Sequence, residues 1–366
     1  MTQALPKYIQ GMMTMKNKDF KNLKKAGIFT DIHLGRKNAS EIHNSDCFEF
    51  IQWFVQKCKD NNVDHIIFCG DWFEHRDSIS GKTLDWSHKC IKYIEDNLNL
   101  PFFFIIGNHD LVYRNTRNAF NTKIFEPFQN MVIVDDNFST NIAGKTCLFC
   151  PYLFPGEYSD QIKNINSHEI IYGHFEFKGF VVTGETKVLD HGPEHEDFKK
   201  PKRIFTGHFH KRQNKGNVYY LGNTFPMDYS DANDKNRGMA VYDYQNDALD
   251  FIDWENAPIY VRCDFSDLID KPKKFLRSKA TVRCIVDDTE LGYEDVLEIK
   301  NYLMEKYYLR ELRLEEPSDD YTISDDLDPE DLKSESTTEI VNNLLEKISS
   351  KEIKPAKLKK IYKELT

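Results

Sequence analysis

The most constraining feature of this sequence is a series of short, mostly apolar runs, each followed within two residues by a side chain that can bind metal. The runs Ala26–Thr30, Val63–Cys69 and Phe102–Ile106 have the length and composition of strands buried inside a sheet. Between the first two, Phe48 to Cys58 carries apolar residues at helical spacing. Alternation of such strands with amphipathic helices predicts an α/β fold with a largely parallel sheet.

The second half of the chain is richer in strands than in helices. This pattern predicts a layered core of two sheets flanked by helices. The further predicted strands are Met131–Val134, Thr146–Cys150, Glu169–Tyr172, Phe180–Thr183, Arg203–Thr206, Val218–Leu221 and Met239–Asp243.

The length of 366 residues suits two or three domains, and the character of the sequence changes near Pro258. Beyond it, a strand (Thr281–Val286), a helix (Tyr293–Tyr307) and a strand (Leu309–Leu314) predict a small α+β unit. We therefore expect five segments along the chain. They are an N-terminal extension (1–25), the main domain (26–257), the α+β unit (258–315), an acidic linker (316–335) and two terminal helices (336–366).

Metal-type residues stand at five predicted strand ends. They are Asp31 and His33, Asp71, Asn108 with His109 and Asp110, His174, and His208 with His210. Because parallel strands end at a common edge, these side chains are expected to meet there. Glycines precede four of the five groups, as a tight turn close to a metal requires. The tetrapeptide Gly-Asn-His-Asp alone would occur by chance in about one chain of this length in several hundred. A mixed oxygen and nitrogen set suits two divalent ions such as Mn²⁺, with Mg²⁺, Zn²⁺ or Fe as alternatives.

These motifs resemble those of the calcineurin-like metallophosphoesterase superfamily, and the likeness covers about residues 26–255. The resemblance implies one metal held by Asp31, His33, Asp71 and His210. It implies a second held by Asp71, Asn108, His174 and His208, so that Asp71 bridges the two. It further implies phosphoester hydrolysis by a metal-bridging water, with His109 near the leaving oxygen and Asp110 orienting its imidazole.

Within the superfamily, the run from Tyr220 to Phe225 and from Asp231 to Gly238 resembles the nuclease subunits of SbcCD-type complexes, especially the phage recombination branch. The resemblance implies double-stranded DNA ends as substrate, a homodimer within the complex, and residues 258–315 as a capping domain. Many cellular members have a histidine three residues after the second-motif aspartate, whereas this chain has Glu74 followed by His75. Either His75 replaces that histidine as a catalytic group, or it is a solvated loop residue.

Binding of DNA requires local positive charge, although the net charge of the chain is −10. Three basic pairs are candidates on loops expected near the metal edge: Arg114 with Arg117, Lys202 with Arg203, and Lys211 with Arg212. The overall acidity excludes a uniformly basic DNA-coating protein and fits a subunit that borrows DNA affinity from a partner.

The last 31 residues predict two short amphipathic helices. A capping-box pattern at Ser336 and Glu339 begins the first, and Pro355 suits the first turn of the second. Their apolar faces consist of Ile340, Leu344, Leu345 and Ile348, and of Leu358, Ile361, Tyr362 and Leu365. We expect them to bind the coiled coil of an SbcC-like ATPase; docking back onto the main domain is the alternative.

The sequence contains neither an apolar run long enough to span a membrane nor the apolar block of a signal peptide. With eight scattered cysteines, this favours reduced thiols in a cytoplasm, that of the host if the chain is phage-encoded. Cys147 and Cys150 are read as structural, since three-residue spacing on a strand points them to opposite faces.

The sequence thus predicts a two-metal DNA exo/endonuclease. The alternatives are a small-molecule or protein phosphoesterase on the same fold, and a vestigial site on a scaffold for an ATPase.

Overall fold

Two stacked sheets form the centre of the computed structural model, which describes residues 19–128, 130–183, 187–286 and 292–315. The strands are β1 (Lys25–Phe29), β2 (His65–Phe68), β3 (Phe102–Ile105), β4 (Met131–Val134), β5 (Phe138–Ile142), β6 (Lys145–Phe149), β7 (Ile170–His174), β8 (Val181–Thr183), β9 (Lys187–Val188), β10 (Arg203–Gly207), β11 (Gln213–Lys215), β12 (Val218–Tyr220), β13 (Gly238–Asp243), β14 (Ala248–Asp253), β15 (Ile259–Asp264), β16 (Ala280–Ile285) and β17 (Glu311–Glu315). The helical segments are α1 (Arg36–Ala39), α2 (Glu41–Asp60), α3 (Gly81–Leu98), α4 (Tyr158–Ile165), α5 (Phe265–Asp270), α6 (Pro272–Phe275) and α7 (Tyr293–Tyr307).

Each large sheet has six strands and a parallel centre. The first has the order β14-β13-β1-β2-β3-β4, and β1 to β4 run parallel. The second has the order β11-β12-β10-β7-β6-β5, in which β12, β10, β7 and β6 run parallel. The predicted α/β architecture with two layered sheets is confirmed.

Apolar side chains fill three layers around these sheets. Between the sheets, Ile28 and Phe103 of the first meet Phe149 and Tyr172 of the second. Helices α2 and α3 cover the outer face of the first sheet, and α4 covers that of the second. Strand alternation places Cys147 in the central layer and Cys150 in the outer one, so the two thiols do face apart. All eight cysteines are free thiols.

Residues 259–315, called the capping unit below, have their own sheet and core. Strands β15, β16 and β17 run parallel, and α5 and α7 contribute to one apolar cluster with them. The helix predicted over Tyr293–Tyr307 is confirmed to the residue. The sequence prediction missed β15 because its Ile-Tyr-Val-Arg-Cys-Asp run alternates instead of being continuously apolar.

Several predictions lie outside the described residues. They concern most of the N-terminal extension, the acidic linker and both terminal helices with all eight of their proposed partner-binding residues. Among the residues that are described, no helix combines the length and the apolar character needed to cross a bilayer.

Candidate metal centre

The predicted ligand residues do meet at one edge of the two sheets. Asp31, Asp71 and Asn108 follow β1, β2 and β3 of the first sheet, while His174 ends β7 and His208 follows β10 of the second. The two sheets touch here, because the backbone N–H of His208 donates to both carboxylate oxygens of Asp31 (3.1 and 3.2 Å). The centre therefore lies across the junction of the sheets.

Strained backbone marks this edge. Asp31, His33, Asp71 and His208 all have positive φ angles (50°, 48°, 63° and 90°), which non-glycine residues rarely adopt. Such strain persists where surrounding structure enforces it, and it is common at functional sites.

Two of the motif glycines leave room for ligands. A Cβ atom on Gly107 would lie 2.1 Å from Asp71 Oδ1, and one on Gly207 would lie 2.7 Å from Asp31 Oδ2. Neither distance allows a side chain, so glycine is required by the close approach of Asp71 at Gly107, and by that of Asp31 and the Thr30 hydroxyl (2.0 Å) at Gly207.

The first ligand set comprises Asp31, His33 and His210, whose candidate ligand atoms lie within 4.8 Å of one another. His33 Nε2 is 3.2 Å from His210 Nε2 and 3.8 Å from Asp31 Oδ1. Asp31 is held by its neighbour Thr30, whose hydroxyl donates to Oδ2 at 2.6 Å.

The second set comprises Asp71, His174 and His208, joined by Asn108. Asn108 Oδ1 lies 2.9 Å from both His174 Nε2 and His208 Nδ1, and these two nitrogens are 3.3 Å apart. The structure therefore groups the four residues as the resemblance implied.

Asp71 stands between the two sets. Its Oδ2 is 3.2 Å from His174 Nε2 and 3.8 Å from His33 Nε2, one nitrogen from each set. Burial favours the neutral acid, but the imidazoles of His174, His109 and His33 hold the pKa of Asp71 well below its usual range. An ionised carboxylate in this position is suited to bridge two cations.

The donor geometry fits divalent metal ions. Two nitrogens that bind one ion at about 2.1 Å are roughly 3.0–3.4 Å apart for tetrahedral to octahedral angles. The separations of 3.2 Å in the first set and 3.3 Å in the second match that range. Carboxylates, an amide oxygen and imidazoles together favour first-row divalent ions.

His174, His208 and His33 also contact an acceptor through the ring nitrogen that faces away from the centre. His174 Nδ1 donates to the carbonyl of Cys69 at 2.7 Å, so its Nε2 faces the centre. His208 Nε2 is 3.1 Å from Glu176 Oε1, and His33 Nδ1 is 2.9 Å from Glu74 Oε2. Partners of this kind fix the tautomer and orientation of metal-binding imidazoles.

Glu176 and Glu74 were not predicted from the sequence. Tyr152 donates to Glu176 Oε1 (2.9 Å), and with His208 it lowers the pKa of Glu176 to about 2 despite burial. Arg36 contacts both carboxylate oxygens of Glu74 (3.0 and 3.2 Å) and also pairs with Asp228 (2.6 Å). The one available signal was Glu74 at the position where related nucleases carry histidine.

His75 is exposed, whereas Glu74 is buried beside the centre. The backbone carbonyl of His75 accepts a hydrogen bond from Asn121 Nδ2 at 3.3 Å. Glu74, and not His75, therefore lies beside the centre at the position where the family pattern has a histidine. A catalytic role for His75 stays a prediction.

His109 is buried next to the first ligand set, with its ring centroid 5.0 Å from that of His33. Its Nδ1 lies 2.7 Å from the carbonyl oxygen of Glu74, which can only accept, so Nδ1 carries the proton. The expectation that Asp110 orients this imidazole is wrong. The Asp110 carboxylate instead accepts from the backbone N–H groups of Asp71, Trp72 and Gly107 (2.9–3.0 Å) and so shapes the ligand loops.

The basic candidates for DNA binding have different surroundings. Arg117 is bound to Glu157 and to the carbonyl of Tyr152, and Arg212 pairs with Asp253 at 2.6 Å. Arg114 is exposed, and Lys211 directly follows the predicted ligand His210.

The placement predicted for Lys202 and Arg203 near the metal edge is wrong. Arg203 begins β10, and its register partner Ile170 begins β7. Lys202 and Arg203 therefore lie at the opposite edge of the second sheet from His174 and His208. Lys202 lies near Glu169 (3.8 Å), and Arg203 lies near Asp247 (3.4 Å).

The chain is similar to one protein family and to several known proteins. The calcineurin-like phosphoesterase family matches residues 24–212. Exonuclease subunit 1 of Enterobacteria phage T4 is 29% identical over 227 residues, which is 61% of this chain and 65% of that protein. The DNA double-strand break repair protein Mre11 of Methanosarcina acetivorans is 26% identical over 121 residues, or 32% of this chain and 18% of that protein. A dimetal phosphatase structure from Danio rerio aligns with a TM-score of 0.39 at 10% identity, over 61% of this chain and 93% of that one.

The matched regions thus span less than two thirds of these two relatives. The family match, however, covers just over half of the 366 residues and includes every predicted ligand from Asp31 to His210. By that match and by its ligand set, the chain belongs to the calcineurin-like phosphoesterase family.

Proposed function

We propose that this protein is the nuclease subunit of an SbcCD-type complex of the phage recombination branch, and that it hydrolyses phosphodiester bonds at double-stranded DNA ends. The observation that carries the proposal is the pair of candidate ligand sets, with Asp71 Oδ2 within 3.8 Å of a histidine nitrogen from each. Two relatives support DNA as the substrate, since one is named an exonuclease subunit and the other a double-strand break repair protein.

The proposed ligands would place two cations where a negatively charged substrate binds. Asp31, His33 and His210 would hold one ion; Asn108, His174 and His208 would hold the other, with Asp71 shared. Two divalent ions bound there supply charge neutralisation at the phosphoryl oxygens and activation of a water nucleophile. Mn²⁺ fits the mixed donor set, and Mg²⁺, Zn²⁺ or Fe could replace it.

His109 is proposed to act on the leaving oxygen. The carbonyl of Glu74 holds the proton of its Nδ1, which leaves Nε2 as the nitrogen that can exchange a proton with substrate. When the ring is doubly protonated, Nε2–H can donate to the departing alkoxide. The carboxylate of Glu74 also contacts His33. Glu74 would therefore position both the general acid His109 and His33, a proposed ligand of the first ion.

The partner proposals rest on the resemblance and on the relatives. We propose that residues 336–366 bind a coiled-coil ATPase, that the nuclease subunits pair as a homodimer, and that the complex works in a cytoplasm. The word subunit in the name of the phage T4 relative supports an assembly.

A nuclease assay tests the proposal. End-labelled linear duplex and hairpin DNA are incubated with the full chain in Mn²⁺ or Mg²⁺, with and without the cognate ATPase, and a small diester, bis-p-nitrophenyl phosphate, is assayed in parallel. We expect metal-dependent cleavage of both substrate classes. Hydrolysis of the small diester without cleavage of any DNA, even with the ATPase, would instead indicate a small-molecule or protein phosphoesterase. Absence of bound metal together with full ATPase binding would indicate a scaffold.

A further inference from the structure

One turn of helix α2 holds the loop that carries His33. His43 Nε2 donates to the carbonyl of His33 at 2.8 Å, and Asn44 Oδ1 accepts from the backbone N–H of Gly35 at 2.9 Å. Cys47 Sγ lies 3.4 Å from the carbonyl of Ile32. The three helix residues are buried, so the position of the loop depends on the position of this turn.

The same turn is bound to the capping unit. Both carboxylate oxygens of the buried Asp46 accept from Arg310 (2.5 and 2.6 Å), just before β17. Lys279, just before β16, lies 3.7 Å from Asp46 and pairs with Glu49 one turn later. A bidentate contact to a buried carboxylate is both strong and geometrically specific.

The loop also meets the capping unit directly. Lys37 donates to the hydroxyl of Tyr260 on β15, and its Nζ lies 4.7 Å from the centroid of that ring. Preceding it, Arg36 points inward to Glu74 and Asp228. Lys37, Asn38 and Ala39 have consecutive φ angles of 55–57°, an arrangement that non-glycine residues adopt only when their surroundings enforce it.

The segment from His33 to Asp46 thus connects a metal ligand with the capping unit by two routes, one through the loop and one through the helix. We propose that docking of the capping unit positions His33 through Asp46 and Lys37, so that divalent-metal binding at the first ligand set and docking of the capping unit stabilise each other. Asp46 is a positioning residue, because it acts on His33 through α2. The proposal requires the metal centre, but it does not depend on DNA being the substrate.

Linkage makes the proposal quantitative. If undocking weakens metal binding by some factor, then metal binding must disfavour undocking by the same factor. Partners of metal ligands typically contribute 10- to 100-fold to metal affinity. Asp46 acts one step further away, so we expect a factor of about 5–10.

The direct test combines calorimetry with hydrogen exchange on the full chain. Mn²⁺ binding is titrated in wild type, Asp46→Asn, Arg310→Gln and the double variant, and Lys92→Gln is the control. Lys92 pairs with Asp96 on the surface of α3 (2.7 Å), away from both routes. We expect each single variant to weaken one of two Mn²⁺ sites by about 5- to 10-fold. The double variant should weaken it no further than Asp46→Asn alone, because Arg310→Gln removes a contact that Asp46→Asn has already removed.

A second measurement uses only the wild-type protein, so a folding defect in a variant cannot affect it. The amide of Asn233 donates across the junction to the carbonyl of Tyr260 (3.0 Å) and exchanges when the capping unit undocks. We expect Mn²⁺ to slow exchange of the peptide containing Asn233 in wild type by the same factor, with strands β5 and β6 unchanged. Wild-type Mn²⁺ affinity in Arg310→Gln, additive losses in the double variant, or exchange at Asn233 that Mn²⁺ does not alter would each overturn the proposal.

Discussion

At the scale of single residues, a substitution of His109 tests metal binding and proton transfer separately. His109→Ala should keep both metal ions, since the ring belongs to neither proposed ligand set, yet it should lower diester hydrolysis by about 10²- to 10⁴-fold. Metal content by plasma emission spectroscopy and hydrolysis of the small diester check the two halves of this prediction.

His75→Ala is the matched comparison for His109→Ala. His75 is exposed while Glu74 fills the neighbouring buried position, so we expect hydrolysis close to wild type. A loss as large as that of His109→Ala would give His75 the catalytic role that the sequence left open. Loss of a metal ion from His109→Ala would make His109 a ligand.

His43 predicts how the stability of the metal-free chain depends on pH. Burial and the nearby Arg36 lower the pKa of His43 to about 3, against about 6.5 in the unfolded chain. The unfolded chain therefore binds the extra proton, and the contribution of His43 is fully present above pH 6.5 and lost as the pH falls. Relative to His43→Gln, wild type should lose about 1.4 kcal/mol of unfolding free energy per pH unit between pH 6 and 4. Denaturant unfolding in a chelator measures this, and parallel curves for the two proteins would contradict it.

The meeting of the seven proposed ligands at one edge could be predicted because each ends or follows a recognisable strand. The residues that orient them could not, because their partners are distant in sequence and belong to no motif. Glu74 and Arg36 are 38 residues apart, and Arg310 and Asp46 are 264 apart. Charged residues of this kind look like surface residues until the fold brings them together.

At the scale of elements, strands buried on both faces were predictable and half-exposed ones were not. Met131–Val134 forms β4 as predicted, whereas Phe138–Ile142 and Ala248–Asp253 were missed. All three strands lie at sheet edges, but every residue of Met131–Val134 is buried, whereas the other two strands are mostly half-buried or exposed and their apolar pattern is diluted. The sequence contained the information needed to place Lys202 and Arg203 correctly: the predicted strand Arg203–Thr206 begins there, and its other end leads to His208 and His210 at the metal edge.

The residues beyond the two ends of β10 give a prediction about DNA binding. Lys211 follows the proposed ligand His210 beyond the end of β10, whereas Lys202 directly precedes β10 at the opposite edge. Lys211→Gln should weaken duplex binding about equally for all sequences and reduce the salt-dependence slope by about 1, while Lys202→Gln should change neither. Anisotropy titrations of a labelled duplex over a range of salt concentrations measure both quantities. Equal losses in the two variants would place the DNA elsewhere.

At the scale of the whole molecule, residues 336–366 are proposed to join the nuclease to its ATPase. Deleting them should leave metal-dependent hydrolysis of the small diester intact, because every proposed ligand lies between Asp31 and His210. Co-purification with the ATPase and ATP-stimulated digestion of duplex DNA should both be lost. A truncated chain that co-purifies at wild-type yield would contradict the assignment.

The most direct test of a two-metal nuclease is cleavage of linear duplex DNA as a function of Mn²⁺ bound per chain, in wild type and in Asp71→Asn. Asp71 Oδ2 lies within 3.8 Å of a nitrogen from each ligand set, so loss of its charge should lower occupancy of both sites together. The predicted result is cleavage that appears as the second ion binds in wild type and is absent from Asp71→Asn. Full cleavage with one ion per chain, loss of a single ion in the variant, or intact DNA with two ions bound would contradict it.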